Sequence, residues 1–180
     1  MRADAQRNYD LLLAAARQIF AERGPDAPLD DVARRAGVGN ATMYRHFPTR
    51  CDLIIAVYRD EVAELCATGA ALLGAQSPQD ALHEWLRLFV EHVAAKRDLA
   101  LAVAHDRDTE RSALLSTWHE SMLTTASELL DRAQRAGAVR ADLDVRDLLT
   151  LVNGVALATA DGDQADRLLA VVGRGLLPES

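Results

Sequence analysis

The chain has 180 residues, 49% of them hydrophobic but only 4% aromatic, and a formal net charge of −7. That length holds one sizeable core or a small module joined to a larger one, and the absence of alternating β-branched runs argues against a β fold. No run of about 18 apolar residues is free of charge, and the opening MRADAQRNYD has no apolar signal core, so a soluble, cytoplasmic protein without a membrane partner is expected. The acidity is uneven. Residues 1–60 carry nine Arg against eight Asp or Glu, and residues 61–180 carry eleven basic against nineteen acidic residues. A first third at +1 predicts weak non-specific attraction to nucleic acid.

The first helix is predicted from about Arg7 to Arg23, where Tyr9, Leu12, Leu13, Ala16, Ile19 and Phe20 form one apolar stripe and Gly24-Pro25 ends it. After the loop Pro25 to Pro28, Leu29, Val32, Ala33 and Ala36 repeat the i, i+3, i+4, i+7 spacing and predict a short second helix. Gly37 follows the last apolar position, where a left-handed residue commonly ends a helix, and Val38 then turns into the core. A third helix starts near Gly39 or Asn40, with Asn40 as the expected cap. Met43 and Phe47 share its inner face, and Pro48 stops it. Asn40, Ala41, Thr42, Tyr44, Arg45 and His46 are left on outer faces. Two short helices around a glycine turn, the second with small and polar residues outward, make a helix-turn-helix.

Thr49-Arg50-Cys51-Asp52 has the form of a capping box and opens a fourth helix, with Leu53, Val57, Tyr58, Val62 and Leu65 inward as far as about Leu73. Cys51 and Cys66 share that helix, roughly 22 Å apart at the helical rise, so they read as ordinary thiols. Gly74 to Ser77 is a loop, and Ser77-Pro78 starts a fifth helix that reaches about Ala95. Lys96-Arg97-Asp98 reads as a polar break, Leu99 to Ala104 as a short apolar segment, and His105 to Arg111 as a charged loop. A long helix follows from Ser112 to Ala136, ended by Gly137, and two final helices start at Asp144 and Asp163, where the helix dipole favours acids. Both final helices have more apolar width than one stripe needs, which fits a four-helix interface. The prediction is an all-α chain of about nine helices.

From about Asn8 to Asp60 the chain resembles the DNA-binding domain of the tetracycline-repressor (TetR) family of one-component regulators. The residues that carry the resemblance are Ala15 to Gly24, Val32-Ala33 with Ala36-Gly37-Val38, and Thr42 to Phe47 with Leu53 after them. The resemblance implies a DNA-binding domain over 1–50 and a helical effector-binding and dimerisation domain over 51–180. It further implies a homodimer joined through its last two helices, a double-stranded DNA operator, a small-molecule effector and no catalytic role. No cofactor is expected.

The outer face of the third helix supplies the chemistry. Asn40 can donate to and accept from a base edge, with adenine favoured, and Ala41 and the Thr42 methyl can touch a thymine methyl. Tyr44, His46 and Arg50 suit phosphate, and the resemblance implies the same role for those three positions. Pro28 and Asp30 depart from the family pattern, since a capping Ser or Thr and a basic or polar residue are usual there, and their presence lowers the expected DNA affinity. Trp85, Phe89, His92, Trp118 and Met122 are the candidate effector pocket, against the plain alternative that they are core. Leu148, Val152, Leu169, Val172 and Leu176 are the candidate dimer interface. His105-Asp106, Asp108 and His119-Glu120 lack the spacing of a metal site, and there is no phosphate-binding glycine loop and no Gly-x-Ser-x-Gly elbow. The leading reading is therefore a dimeric repressor released from a pseudo-palindromic operator by a small apolar or aromatic ligand. A dimeric helical interaction module with weak or lost DNA binding competes with it. A helical metal-dependent enzyme, resting only on the His and acid cluster, is third.

Overall fold

The computed structural model describes residues 2–104, 109–159 and 162–177, with side chains described over 3–94, 114–159 and 162–177. These residues form eight helices and no strand: α1 Arg2–Arg23, α2 Leu29–Ala36, α3 Asn40–His46, α4 Arg50–Leu72, α5 Pro78–Ala104, α6 Thr109–Arg135, α7 Val145–Ala158 and α8 Gly162–Gly175. The all-α expectation holds, but the count of nine does not. Lys96-Arg97-Asp98 does not interrupt α5, because Lys and Arg are good helix formers and the stretch holds neither Gly nor Pro. Leu99 to Ala104 is thus the end of α5 rather than a segment of its own. At the other end of the chain, α1 begins five residues before the expected Arg7, with Asp4 in its first turn.

The chain packs as two compact units, Met1–Asp60 with Asp98–Arg111, and Glu61–Arg97 with Ser112–Ser180. In the first unit Leu12, Ala16 and Ile19 of α1 are buried with Val32 and Ala33 of α2, Met43 of α3, Phe47, and Leu53 and Val57 of α4. The α2–α3 turn depends on Gly37, whose φ of 67° lies where an L side chain is disfavoured. Its N–H donates to the Arg34 carbonyl at 3.2 Å, and Val38 N–H donates to the Ala33 carbonyl at 3.0 Å, which satisfies the helix end and draws Val38 inward. The capping box of α4 is reciprocal: Thr49 N–H donates to Asp52 Oδ2 at 2.9 Å, and Asp52 N–H donates to Thr49 Oγ1 at 3.2 Å.

The second unit closes around Trp85, which is fully buried and donates its indole N–H to the Leu65 carbonyl at 3.1 Å. A Cβ on Gly69 would overlap Thr125 Cγ2 and lie 2.8 Å from Trp85 Nε1, so glycine lets α4 approach α5 and α6 there. Gln134 donates to the Arg140 and Leu143 carbonyls, both at 3.0 Å, and fixes the loop that leads to α7. Asp144 caps α7 by accepting from Arg146 N–H at 2.7 Å.

Four of the five residues expected at a dimer interface are buried within the chain itself. Leu148, Val152, Leu169 and Leu176 lie in the protomer's own core, and Val172 is half-buried. Each helix carries two apolar stripes, and these residues form the inner one. Outward stand Leu151 and Leu157 on α7, Leu168 and Val171 on α8, and Leu177 just beyond it. Among the described residues no helix is long and apolar enough to cross a membrane.

Candidate nucleic-acid interface

α3 is seven residues long, and its position is set by one inward side chain, the fully buried Met43, with Phe47 anchored just past its end. Asn40, Ala41, Tyr44 and Arg45 are consequently exposed, while Thr42 and His46 are half-buried. The expected cap is corrected by one position. Gly39 is the N-cap, in an extended conformation with no side-chain cap bond, and its carbonyl accepts from Thr42 and Met43 at 2.9 and 3.0 Å. Asn40 is the first helical residue, so its amide is displayed on the surface rather than folded back over the helix start. Short side chains at Ala41 and Thr42 let the backbone of such a helix approach base edges closely.

Several neighbours hold these side chains in place. His46 meets Tyr9 edge-on with ring centroids 6.1 Å apart, and Tyr9 also packs on Phe47 at 5.2 Å. The Tyr9 hydroxyl accepts from Arg59 Nη2 at 2.7 Å. Arg45 Nη2 donates to Thr42 Oγ1 across 3.3 Å on the outer face. Tyr44, 46% exposed, donates to Asp30 Oδ1 over a long 3.4 Å, so the acid that departs from the family pattern sits beside the hydroxyl assigned to phosphate. Pro28 is the N-cap of α2 and provides no side-chain cap bond. Arg50 is half-buried, and its Nη1 donates to the Pro25 and Ala27 carbonyls at 2.7 and 2.5 Å.

The cations of α2 are largely neutralised within the unit. Asp31 pairs with both Arg23 and Arg34, at 2.8 and 2.6 Å, and Arg35 pairs with Glu22 at 2.6 Å. The Arg35 hydrogen bond holds the Glu22 carboxyl below its ordinary range, and the same bond raises the Arg35 guanidinium. The near-neutral charge read from the first third of the chain is therefore also local: these arginines already have acids beside them.

The effector candidates separate. Within the second unit a cleft of about 410 Å³ has a floor of Phe89, Met122, Leu123 and Leu149 and a rim of His119, Glu120, Arg146, Thr150 and Asn153. Phe89 and Met122 line it, whereas Trp85, Trp118 and His92 do not. Trp85 and Trp118 are buried, and Phe89 stacks on Trp85 with centroids 5.6 Å apart, so Trp85 backs the cleft behind Phe89. The contribution of α7 was missed: Arg146, Leu149, Thr150 and Asn153 recur at i, i+3, i+4 and i+7, a mixed polar stripe that an apolar search passes over. His119 Nδ1 donates to the Leu115 carbonyl at 3.0 Å. Of the His and acid cluster, His119 and Glu120 lie on the cleft rim, and His105, Asp106 and Asp108 lie outside the described residues.

Comparison with known proteins fits this geometry. The family model described as "Bacterial regulatory proteins, tetR family" matches residues 12–57, the unit that holds the helix-turn-helix. A second model, "Transcriptional regulator SbtR-like, C-terminal domain", matches residues 77–178, more than half of the chain. The chain belongs to the TetR family. Its fold is similar to two solved TetR-family regulators. The first is SCO0520 from Streptomyces coelicolor, with 38% identity, 95% of this chain and 99% of that one covered, and a TM-score of 0.78. The second is a regulator from Mycobacterium vanbaalenii, with 38% identity, 98% of each chain covered and a TM-score of 0.79. HTH-type transcriptional repressor LfrR of Mycolicibacterium smegmatis is 31% identical over 132 residues, 71% of this chain. The curated relatives are longer than the matched part, which spans 25%, 42% and 66% of their lengths. As a TetR-family chain, the protein has the expected architecture of an N-terminal helix-turn-helix followed by a helical C-terminal domain.

Proposed function

We propose that this TetR-family chain is a cytoplasmic, homodimeric repressor that leaves a pseudo-palindromic DNA operator when a small ligand enters the cleft of its second unit. The observation that carries the reading is α3 itself: one buried methionine fixes the helix, and Asn40, Ala41, Thr42 and Tyr44 are presented outward around it. Asn40, Ala41 and Thr42 contact bases, and Tyr44 and His46 contact phosphate. Residues 1–50 act as the DNA-binding domain and 51–180 as the effector and dimerisation domain, with α4 as the covalent link between them.

Dimerisation supports the operator symmetry. Leu151 on α7 and Leu168 and Val171 on α8 are exposed apolar side chains that a two-fold partner would cover. Two recognition helices then reach successive major grooves when about 34–36 Å apart. A ligand that favours a different spacing lowers operator affinity by its own coupling energy, typically about 5- to 150-fold. The cleft has the volume of a small-molecule site, and its polar rim over an apolar floor suits an apolar or aromatic compound with at least one hydrogen-bonding group. LfrR, whose match covers 71% of this chain, is a repressor, and that supports repression here.

The test uses a compound found by thermal-shift screening of the full chain. It should dissociate a protein–operator complex of two protomers per site, and Leu149→Trp, which fills the cleft from a half-buried position, should abolish release while leaving ligand-free DNA affinity unchanged. Release that persists in Leu149→Trp would place the effector elsewhere. The interaction-module reading draws on Asp30 beside Tyr44 and on the paired arginines of α2. Sequence-selective DNA binding by the wild-type chain would eliminate it.

A further inference from the structure

We infer that Arg50 is a positioning residue for DNA binding, which sets the entry of α2 through the loop before it rather than through a phosphate of its own. The inference rests on the DNA-binding reading above. Arg50 is the first residue of α4, and its two donor contacts go back 25 and 23 residues to the Pro25 and Ala27 carbonyls, at 2.7 and 2.5 Å. A guanidinium delivering both hydrogens of one nitrogen to two loop carbonyls makes charge-assisted bonds, which are shorter and stronger than neutral ones. Those carbonyls belong to the α1–α2 loop, where orphan backbone acceptors have few alternatives to water or a side chain.

The loop needs such a tie because its other restraints are weak. Pro28 has no amide hydrogen and caps α2 without a side-chain bond. The internal bonds of the loop are Ala27 N–H to the Gly24 carbonyl at 3.3 Å and Asp31 N–H to the Pro28 carbonyl at 3.0 Å. Ala27 is nonetheless buried, only 4% exposed, so something beyond its small side chain must hold the backbone inward. Arg50 does so from α4, whose own first turn is fixed by the Thr49–Asp52 box. Since α2 carries Asp30, which touches Tyr44, and supports α3 across the Gly37 turn, the loop position is passed on to the recognition surface. In this arrangement the guanidinium acts on DNA through geometry.

Salt dependence separates the two roles. Losing a phosphate contact lowers the steepness of log K against log salt by about 0.9 for each charge removed, whereas losing a geometric support lowers K without changing the slope. Arg50→Met keeps the aliphatic stem and removes the donors. With the full chain and a selected operator, it should weaken binding roughly tenfold or more at every salt concentration, with the wild-type slope. In the DNA-free protein, amide exchange at Ala27 and Asp31 should speed up. Ala27→Gly, which loosens the same loop and leaves Arg50 in place, should reproduce the affinity loss at constant slope and guards against a poorly folded Arg50→Met. A reduced slope in Arg50→Met with unaltered exchange in the loop would assign Arg50 to phosphate and overturn the proposal. Wild-type protein that selects no DNA sequence would instead remove the underlying reading, while the exchange measurement still reports on the tie.

Discussion

Val171→Glu tests which stripe of the last two helices faces a partner. Val171 on α8 and Leu151 on α7 are each 54% exposed in the protomer, and Leu168 is 39% exposed. Burying a whole aliphatic side chain of this kind contributes about 1.5–3 kcal/mol, so covering the exposed half of Val171 contributes about 1 kcal/mol. A two-fold axis places two copies at the contact, which makes about 2 kcal/mol per dimer from this position alone. A glutamate there forfeits that term and adds a desolvation cost of several kcal/mol for each carboxylate buried without a partner. The sum weakens association by roughly a thousandfold or more. Sedimentation velocity at micromolar protein should therefore show monomers for Val171→Glu with the helical signal of the wild type, because the replaced side chain is not part of the protomer's core. Leu169→Ala is the counterpart. At 2% exposure it should cost about 2–5 kcal/mol of folding stability, read as a lower denaturant midpoint. A Val171→Glu chain that sediments as intact dimer would refute the assignment of the outer stripe.

Gly69→Ala should destabilise the second unit by about 1–3 kcal/mol or more, since the new methyl overlaps Thr125 and crowds the Trp85 indole; urea unfolding followed by tryptophan fluorescence measures it. Asp30→Asn removes a negative charge 3.4 Å from the Tyr44 hydroxyl and should raise operator affinity several-fold, an increase that fluorescence anisotropy detects and that shrinks with added salt. Thr42→Ala should change preference at one base position by roughly 1–3 kcal/mol, while Tyr44→Phe weakens all operator variants about equally. Binding to a panel of single-base operator variants distinguishes these two patterns.

What the sequence displays well is chemistry that acts over a few residues. Gly37, the Thr49–Asp52 box and the Asp144 cap each bond within five positions, and each is found where the spacing places it. The buried side of α3 was equally legible, because Met43 and Phe47 four residues apart define a face with no rival. Where two faces compete, the pattern cannot choose between them. On α7 and α8 the apolar width exceeds one stripe, and picking the strongest seam selected the protomer's own core: Leu148, Val152 and Leu169. Long-range satisfaction is also invisible in the sequence. Nothing near Trp85 shows that its N–H finds the Leu65 carbonyl, and nothing near Arg50 shows that it finds Pro25 and Ala27. The polar run at Lys96 looked like an end because it is charged, yet charge without Gly or Pro does not stop a helix.

Whether α3 reads DNA as one of a symmetric pair is decided by selecting bound fragments from random double-stranded DNA. A symmetric pair should enrich a pseudo-palindrome with half-site centres about one helical turn apart, and a repeat with Asn40→Ala should lose preference at one position in each half-site. No enriched sequence from folded wild-type protein at low salt would contradict that reading.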